Sequence, residues 1–282
     1  MRTRRRGVAI GLALTIAAAG SVSCQAFRER MLLKRANELY TAQKYEEAIQ
    51  QYQQILAIDS SSWQANYLTA VSYFALYHPG SEHPKDKEYA EKGIAAFERT
   101  LALTPPSQDE HDKTEKYYLS FLDSAGETDK AIAYLEKQLE KRPSDLGLIL
   151  QIASLYQKKG EFTKSIEYLE KRAQLDPKNK EAWYTLGVNC WARSYHGGAM
   201  VSQEEREQVV EKGIEALDKA LAIDAKYVDA LSYINLLYRE KAKALAAVGK
   251  SDEATKAQAK AEDYYNRAVQ LKTGGAPKPK AG

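Results

Sequence analysis

Apolar residues recur at three- and four-residue intervals along most of the chain, and short turns interrupt them regularly. Three stretches show the pattern most clearly: "KYEEAIQQYQQILAIDS" (44–60), "ETDKAIAYLEKQLEKRPS" (127–144) and "EFTKSIEYLEKRAQLDP" (161–177). Each carries a small residue, a large apolar or aromatic residue about four positions later, an apolar pair and a turn. A second helical pattern precedes each one, in "RANELYTAQ", "YYLSFLDSAG" and "IASLYQKKG". Gly126 and Gly160 stand where one helix must turn into the next. Ala131 and Ser165 are equivalent positions 34 residues apart. The pattern predicts helix following helix in repeated pairs, an all-α chain.

The segment Lys180-Glu-Ala-Trp183-Tyr184-Thr-Leu186-Gly187 has a Trp-x-x-Leu-Gly opening, and Pro105, Pro143 and Pro177 each close a repeat. These features resemble the tetratricopeptide repeat, an antiparallel helix pair of 34 residues. The resemblance implies a right-handed solenoid of about six pairs, beginning near residues 29, 63, 112, 146, 180 and 228 and covering 29–272. Small residues such as Ala36, Ala70, Ala153 and Gly187 would let helices approach closely. Tyr52, Phe97, Leu169 and Leu217 would fill the space beside them. No single pair can bury its apolar face alone, so neighbours must stack.

Three pairs exceed the repeat length. The small residue of the second helix falls at Ala48, Gly93, Ala131, Ser165, Gly213 and Ala261, with gaps of 45, 38, 34, 48 and 48. The gap of 38 fits a longer linker, "TPPSQDEHD". The longer gaps put extra residues between the two helices of pairs two, five and six. In pair six they read as helices lengthened around Gly249, with Ser251 as a cap. In pair five, Ser202 and Glu205 form a capping box that restarts the second helix. Glu-Lys-Gly-Ile occurs at both 91–94 and 211–214, so pairs two and five are versions of one module. Their connections hold the loop elements Tyr77-His78 and Tyr195-His196. Both are expected to anchor the connection, with the ring packed on the helices and the imidazole bonded to backbone.

The N-terminus changes the picture of location. Arg2, Arg4, Arg5 and Arg6 precede a short apolar run, 7–20, and then Ser21-Val22-Ser23-Cys24. This order reads as an export signal, too short to span a bilayer as a helix. It resembles a bacterial lipoprotein signal, which implies lipid attachment at Cys24, although Ser21 stands where that family usually has leucine. Ordinary cleavage after Ser23 and an uncleaved anchor are the alternatives. The expected division is a signal peptide (1–23), a short tether (24–28), the solenoid (29–272) and a disordered Gly/Pro/Lys tail (273–282). Without the four N-terminal arginines, 37 basic residues face 38 acidic ones, so no basic surface for nucleic acid is implied. Nineteen tyrosines against five phenylalanines suit helices whose aromatic residues sit partly at a surface.

Candidate chemistry adds little. The four histidines and two cysteines have no zinc spacing, and His78 and His196 belong to pairs expected roughly 30 Å apart at about 10 Å per stacked helix pair. Cys190, beside Trp191 in an apolar stretch, reads as a small buried hydrophobe. There is no phosphate loop and no hydrolase or metalloprotease motif, so neither catalysis, a metal nor a cofactor is expected. The resemblance implies instead a protein or peptide partner in a concave groove lined by the first helix of each pair. Helix phasing puts Tyr40, Tyr67, Phe74, Tyr184, Trp191 and Tyr233 at or near that face, with Asn37, Lys116, Ser120, Gln157, Asp229 and Arg239 as polar neighbours. The lysine and asparagine set of the carboxylate-clamp subgroup is not reproduced. The leading expectation is a non-enzymatic scaffold of the bacterial cell envelope, lipid-anchored and facing the periplasm. It would serve assembly of an outer-membrane, secretion or pilus complex. The alternative is a periplasmic ligand-binding carrier or an accessory subunit of an enzyme.

Overall fold

The computed structural model describes residues 27–274, and the signal, Cys24 and residues 275–282 lie outside them. Among the described residues there are twelve α-helices and no strand. They form six consecutive pairs: α1 (27–41) with α2 (Tyr45–Ile58), α3 (Trp63–Leu76) with α4 (Pro84–Ala102), α5 (Gln108–Ser124) with α6 (Thr128–Lys141), α7 (Leu146–Lys158) with α8 (Phe162–Leu175), α9 (Lys180–His196) with α10 (Gln203–Ile223), and α11 (Val228–Ala247) with α12 (Ser251–Lys272). The chain divides into two compact units inside α6, residues 1–131 and 132–282.

In the first unit α2 packs on α3, α3 on α4 and α4 on α5, and α3 also touches α5. Ala36, Ala48, Tyr52, Ile55 and Ala65 make one core cluster, and Gly93, Phe97 and Phe121 meet further along. In the second unit the same stepwise packing runs from α7 to α12, and α9 also lies against α11. One continuous core there joins Ala153, Ile166, Leu186, Leu217, Ile234 and Ala261.

The small-against-large pairing read from the sequence is what holds these helices together. A methyl group on Gly187 would come within 2.7 Å of Leu217 Cδ2. One on Gly93 would meet the Phe121 ring and approach Tyr73 Cβ to 2.8 Å, and one on Gly213 would lie 2.8 Å from both Cys190 Cβ and Leu237 Cδ1. Such separations are below van der Waals contact, so only a missing Cβ permits the approach.

Pairs one, three, four and six close in the same way. At Gly126, Gly160 and Gly249 the backbone turns left-handed, with φ of +73°, +78° and +79°. In each, the next amide reaches back to the last turn: Glu127 N to Leu122 O (2.8 Å), Glu161 N to Tyr156 O (2.9 Å) and Lys250 N to Leu245 O (3.0 Å). These are Schellman closures. Pair one repeats the bonding with Gln43 at φ +60°, a conformation disfavoured for a residue with a side chain.

Pairs two, five and six take up their extra length differently. Pair six puts it into helices of 20 and 22 residues around Gly249, as the sequence predicts. Ser251, however, is the first helical residue there, and the cap position is Lys250, with no side-chain bond. The linker after α4 is also shorter than "TPPSQDEHD" suggests. The Ser107 hydroxyl accepts from Glu110 N at 3.2 Å and starts α5 at Gln108 rather than near 112.

Candidate partner-binding faces

The second unit brings five of the candidate residues into one ladder. Tyr184, Trp191 and Tyr195 are spaced i, i+7 and i+11 on α9, so they share one side over about 16 Å of helix. Tyr233 of α11 fills the gap between them, 5.7 Å from Tyr184 and 5.3 Å from Trp191, both edge-on. Trp191 and Tyr195 stack at 5.2 Å with planes 16° apart, and His196 meets both rings by its edge. At the other end Tyr227, in the turn before α11, lies 5.1 Å from Tyr184. Offset and edge-to-face ring pairs of this kind are mutually attractive.

Polar groups fix both ends of the ladder. The Tyr227 hydroxyl donates to Glu181 at 2.5 Å, and Lys180 Nζ sits 4.6 Å over the Tyr227 ring while donating to Asp224 at 2.6 Å. At the far end Lys243 Nζ lies 5.8 Å over Tyr195 and donates to the buried Glu240 at 2.7 Å. Burial, with Tyr233, Asp229 and Glu181 nearby, pushes the Tyr184 phenol up to about 12, so it stays a neutral donor. The rings are half-buried along the ladder, and Tyr195 is 54% exposed at its end. Arg239 of α11 is half-buried and tied to Asn235 by a 3.0 Å bond. Asp229 and Gln157 are exposed.

In the first unit the corresponding candidates are more deeply committed to packing. Tyr67 is buried and stacks on Trp63 at 5.0 Å, with Lys113 Nζ 5.6 Å over its ring. Phe74 stacks on Phe121 at 4.6 Å. Asn37 accepts from the buried Tyr52 hydroxyl at 2.9 Å, so that acceptor serves the α1–α2 core. Tyr40 is half-buried and edge-on to Tyr45, whereas Lys116, Ser120 and Tyr117 are exposed on α5.

The two Tyr-His elements differ from the expectation and from each other. Tyr77 does anchor its connection: its ring lies edge-on to Phe121 at 5.4 Å and its hydroxyl donates to Ser124 O at 3.3 Å. His78 does not bond to a carbonyl. Its Nδ1 faces Asp86 Oδ1 at 3.1 Å, and its side chain is 79% exposed. The buried Asp86 is the anchor, accepting from His78 N (3.0 Å) and from the Ser81 hydroxyl (2.6 Å). The Ser81 bond, followed by His78, holds the Asp86 carboxyl below its usual range against the opposing effect of burial. Tyr195 and His196 are not in a loop; they form the last turn of α9, with His196 exposed. The cause is the following residue. Pro79 disfavours helix at His78 and α3 stops at Leu76, while Gly197 leaves α9 free to run to His196.

Pair five is closed by a cation instead. Arg206 Nη2 donates to Gly198 O at 2.7 Å, and its Nη1 donates to Ser194 O. The Ser202 hydroxyl accepts from Glu205 N at 3.1 Å, one half of the predicted capping box. The Glu205 carboxylate turns to Arg193, at 2.7 Å, rather than back to the cap.

Other candidate chemistry falls away or stays local. Cys190 is fully buried, and burial pushes its thiol up to about 12. One group among the described residues, His111, Asp112 and Glu115, has ligand atoms within 4.8 Å of one another, all from a single turn at the start of α5. No described helix is long and apolar enough to cross a membrane.

Residues that sequence reasoning missed are mostly tyrosine partners. Tyr118 donates to Glu98 at 3.0 Å, Tyr156 and Tyr168 both donate to Glu136 at 2.8 Å, Tyr264 donates to Asp218 at 3.1 Å, and Tyr89 donates to Glu46. Each bond ties one helix to a carboxylate of an earlier one, a role that phenylalanine could not fill. Tyr227 belongs to the same set, and its place in a turn kept it out of any helical stripe.

The geometry is that of a tetratricopeptide-repeat protein, and comparison with known proteins agrees. Residues 33–108 and 124–188 each match a family model described as tetratricopeptide repeat, and together they take in half of the chain. The chain therefore carries tetratricopeptide repeats, a class of protein-interaction folds. No curated relative matches the sequence. Among solved structures, one of Naa15/Naa10 bound to HypK-THB is similar over 92% of this chain and 36% of that one, at 17% identity and a TM-score of 0.52. YrrB, described as a TPR protein with an unusual peptide-binding site, is 23% identical, with 71% and 88% covered and a TM-score of 0.37. The C-terminal part of a TPR repeat-containing protein from Cytophaga hutchinsonii is 20% identical, with 86% and 80% covered and a TM-score of 0.46.

Proposed function

We propose that this chain is a non-enzymatic scaffold of the bacterial cell envelope, exported, tethered through a lipid on Cys24, and binding a protein partner on the α9–α11 ladder. The observation that carries the binding site is the run of rings from Tyr227 to Tyr195, pinned at both ends by lysines and left accessible at Tyr195 and His196. Partly exposed tyrosine and tryptophan supply rigid contact area at low entropic cost, which is why they dominate partner hot spots. The export reading rests on the basic segment, the short apolar run and Cys24, and Gln25 rather than aspartate after the cysteine favours outer-membrane sorting if the cell is Gram-negative.

Crosslinking in intact cells followed by purification tests the scaffold. Wild-type protein is expected to recover a specific envelope protein, and Trp191→Ala is expected to lose it by about tenfold or more. Recovery unaffected by Trp191→Ala would remove the ladder from the interface. No protein partner, together with strong stabilisation by a metabolite, would favour a ligand carrier. The mass of the mature N-terminal peptide tests the anchor, which requires acyl chains on Cys24.

A further inference from the structure

A second surface lies at the start of α1. Phe27 and Met31 are 68% and 54% exposed, although the inner side of the same helix, at Leu32, Leu33, Ala36 and Leu39, packs into the α1–α2 core. The two apolar residues are four apart and lie one above the other. At about 100° per residue, Arg28 and Arg35 fall along one flank of them, and Arg30 and Lys34 along the other. All four cations are exposed, and none forms an ion pair among the described residues. Glu29 is half-buried on the inner side, and the next carboxylate on the outer side is Glu38, three residues beyond Arg35 at the end of the basic stretch.

We propose that this end of α1 is a binding site for an anionic bilayer surface. Phe27 and Met31 enter the boundary between headgroups and acyl chains, and the two flanking pairs of cations meet lipid phosphates. An exposed apolar pair between cations is the arrangement of helices that lie in a membrane interface. Cations near such a surface add attraction that salt screens. A soluble phosphate-bearing partner would use the cations but would have no use for the phenylalanine and methionine between them. The site deepens the envelope reading, since Phe27 comes three residues after Cys24 and contact here would orient the repeats on the membrane.

The test omits the lipid anchor. Residues 24–282 carrying Cys24→Ser, which keep every described helix, are sedimented with vesicles of phosphatidylcholine alone or mixed with phosphatidylglycerol. Binding is expected only to the mixed vesicles and is expected to fall with added salt. Neutralising the four cations (Arg28→Gln, Arg30→Gln, Lys34→Gln, Arg35→Gln) should weaken it roughly a hundredfold. Phe27→Ser with Met31→Ser should weaken it about tenfold while leaving the thermal midpoint unchanged, because both side chains are exposed. Equal sedimentation with both vesicle types, or variants that bind like the parent, would overturn the proposal. So would binding that inorganic phosphate displaces and that the Phe27/Met31 variant retains, which would point to a phosphorylated protein. An unmodified Cys24 in native protein would remove the anchor and leave this result standing, so the two readings fail separately.

Discussion

Pairs two and five share a buried junction and differ in the connection above it. At Gly93 and Gly213, in the two copies of Glu-Lys-Gly-Ile, the second helix of each pair meets its own first helix and that of the next pair with no room for a methyl group. Above this junction pair two closes on a buried carboxylate, Asp86, while pair five extends its first helix to His196 and closes on a guanidinium, Arg206. The four other pairs use a left-handed turn of one residue. Packing at the junction thus constrains residue size tightly, because both sides are fixed. The connection needs only satisfied backbone groups, and a carboxylate, a cation or a Schellman turn can each supply them.

The sharpest way to break this comparison is at the shared junction. Gly93→Ala and Gly213→Ala should each destabilise by about 1–3 kcal/mol through overpacking, although alanine favours helix by about 1 kcal/mol. Urea midpoints measure both, and a gain in either variant would show that the helices can move apart freely. A smaller effect separates the connections by pH. The Asp86 carboxyl is held below its usual range, so its stabilising contribution is present above the unfolded value of about 3.9 and is lost as pH falls through the lower folded value. The deficit of Asp86→Asn relative to wild type should therefore shrink as pH falls below about 4, whereas that of Arg206→Met should not depend on pH there. Smaller still, Gln43→Gly should stabilise by about 0.5–1 kcal/mol by removing a side chain from a left-handed turn. Least of all, His78→Gln and His196→Gln should stay within about 0.5 kcal/mol of wild type, since both rings are exposed. The sequence had pointed to a large loss at these histidines; a loss above about 2 kcal/mol would reinstate them as anchors.

Helix pairing was legible because it is written locally. The spacing of apolar residues, Gly126, Gly160 and Gly249 at turns, and Gly187 opposite Leu217 all follow from one helix meeting the next. The candidate site was half legible. Tyr184, Trp191 and Tyr233 share a stripe that phasing finds, but their meeting with Tyr227 and Lys243 depends on how α11 lies on α9, which no spacing encodes. The tyrosine–carboxylate bonds were hidden for the same reason, as their partners lie 20 to 46 residues apart. The Tyr-His resemblance misled because the same dipeptide was followed by residues of opposite effect, Pro79 and Gly197.

The claim on which the functional reading depends is that the partner contacts the α9–α11 ladder. A photo-crosslinking amino acid placed at Tyr195, compared with one at the similarly exposed Tyr265 on α12, tests it in intact cells. A discrete crosslinked partner at position 195 and none at 265 is the predicted result. The same partner at both positions, or at 265 alone, would contradict it.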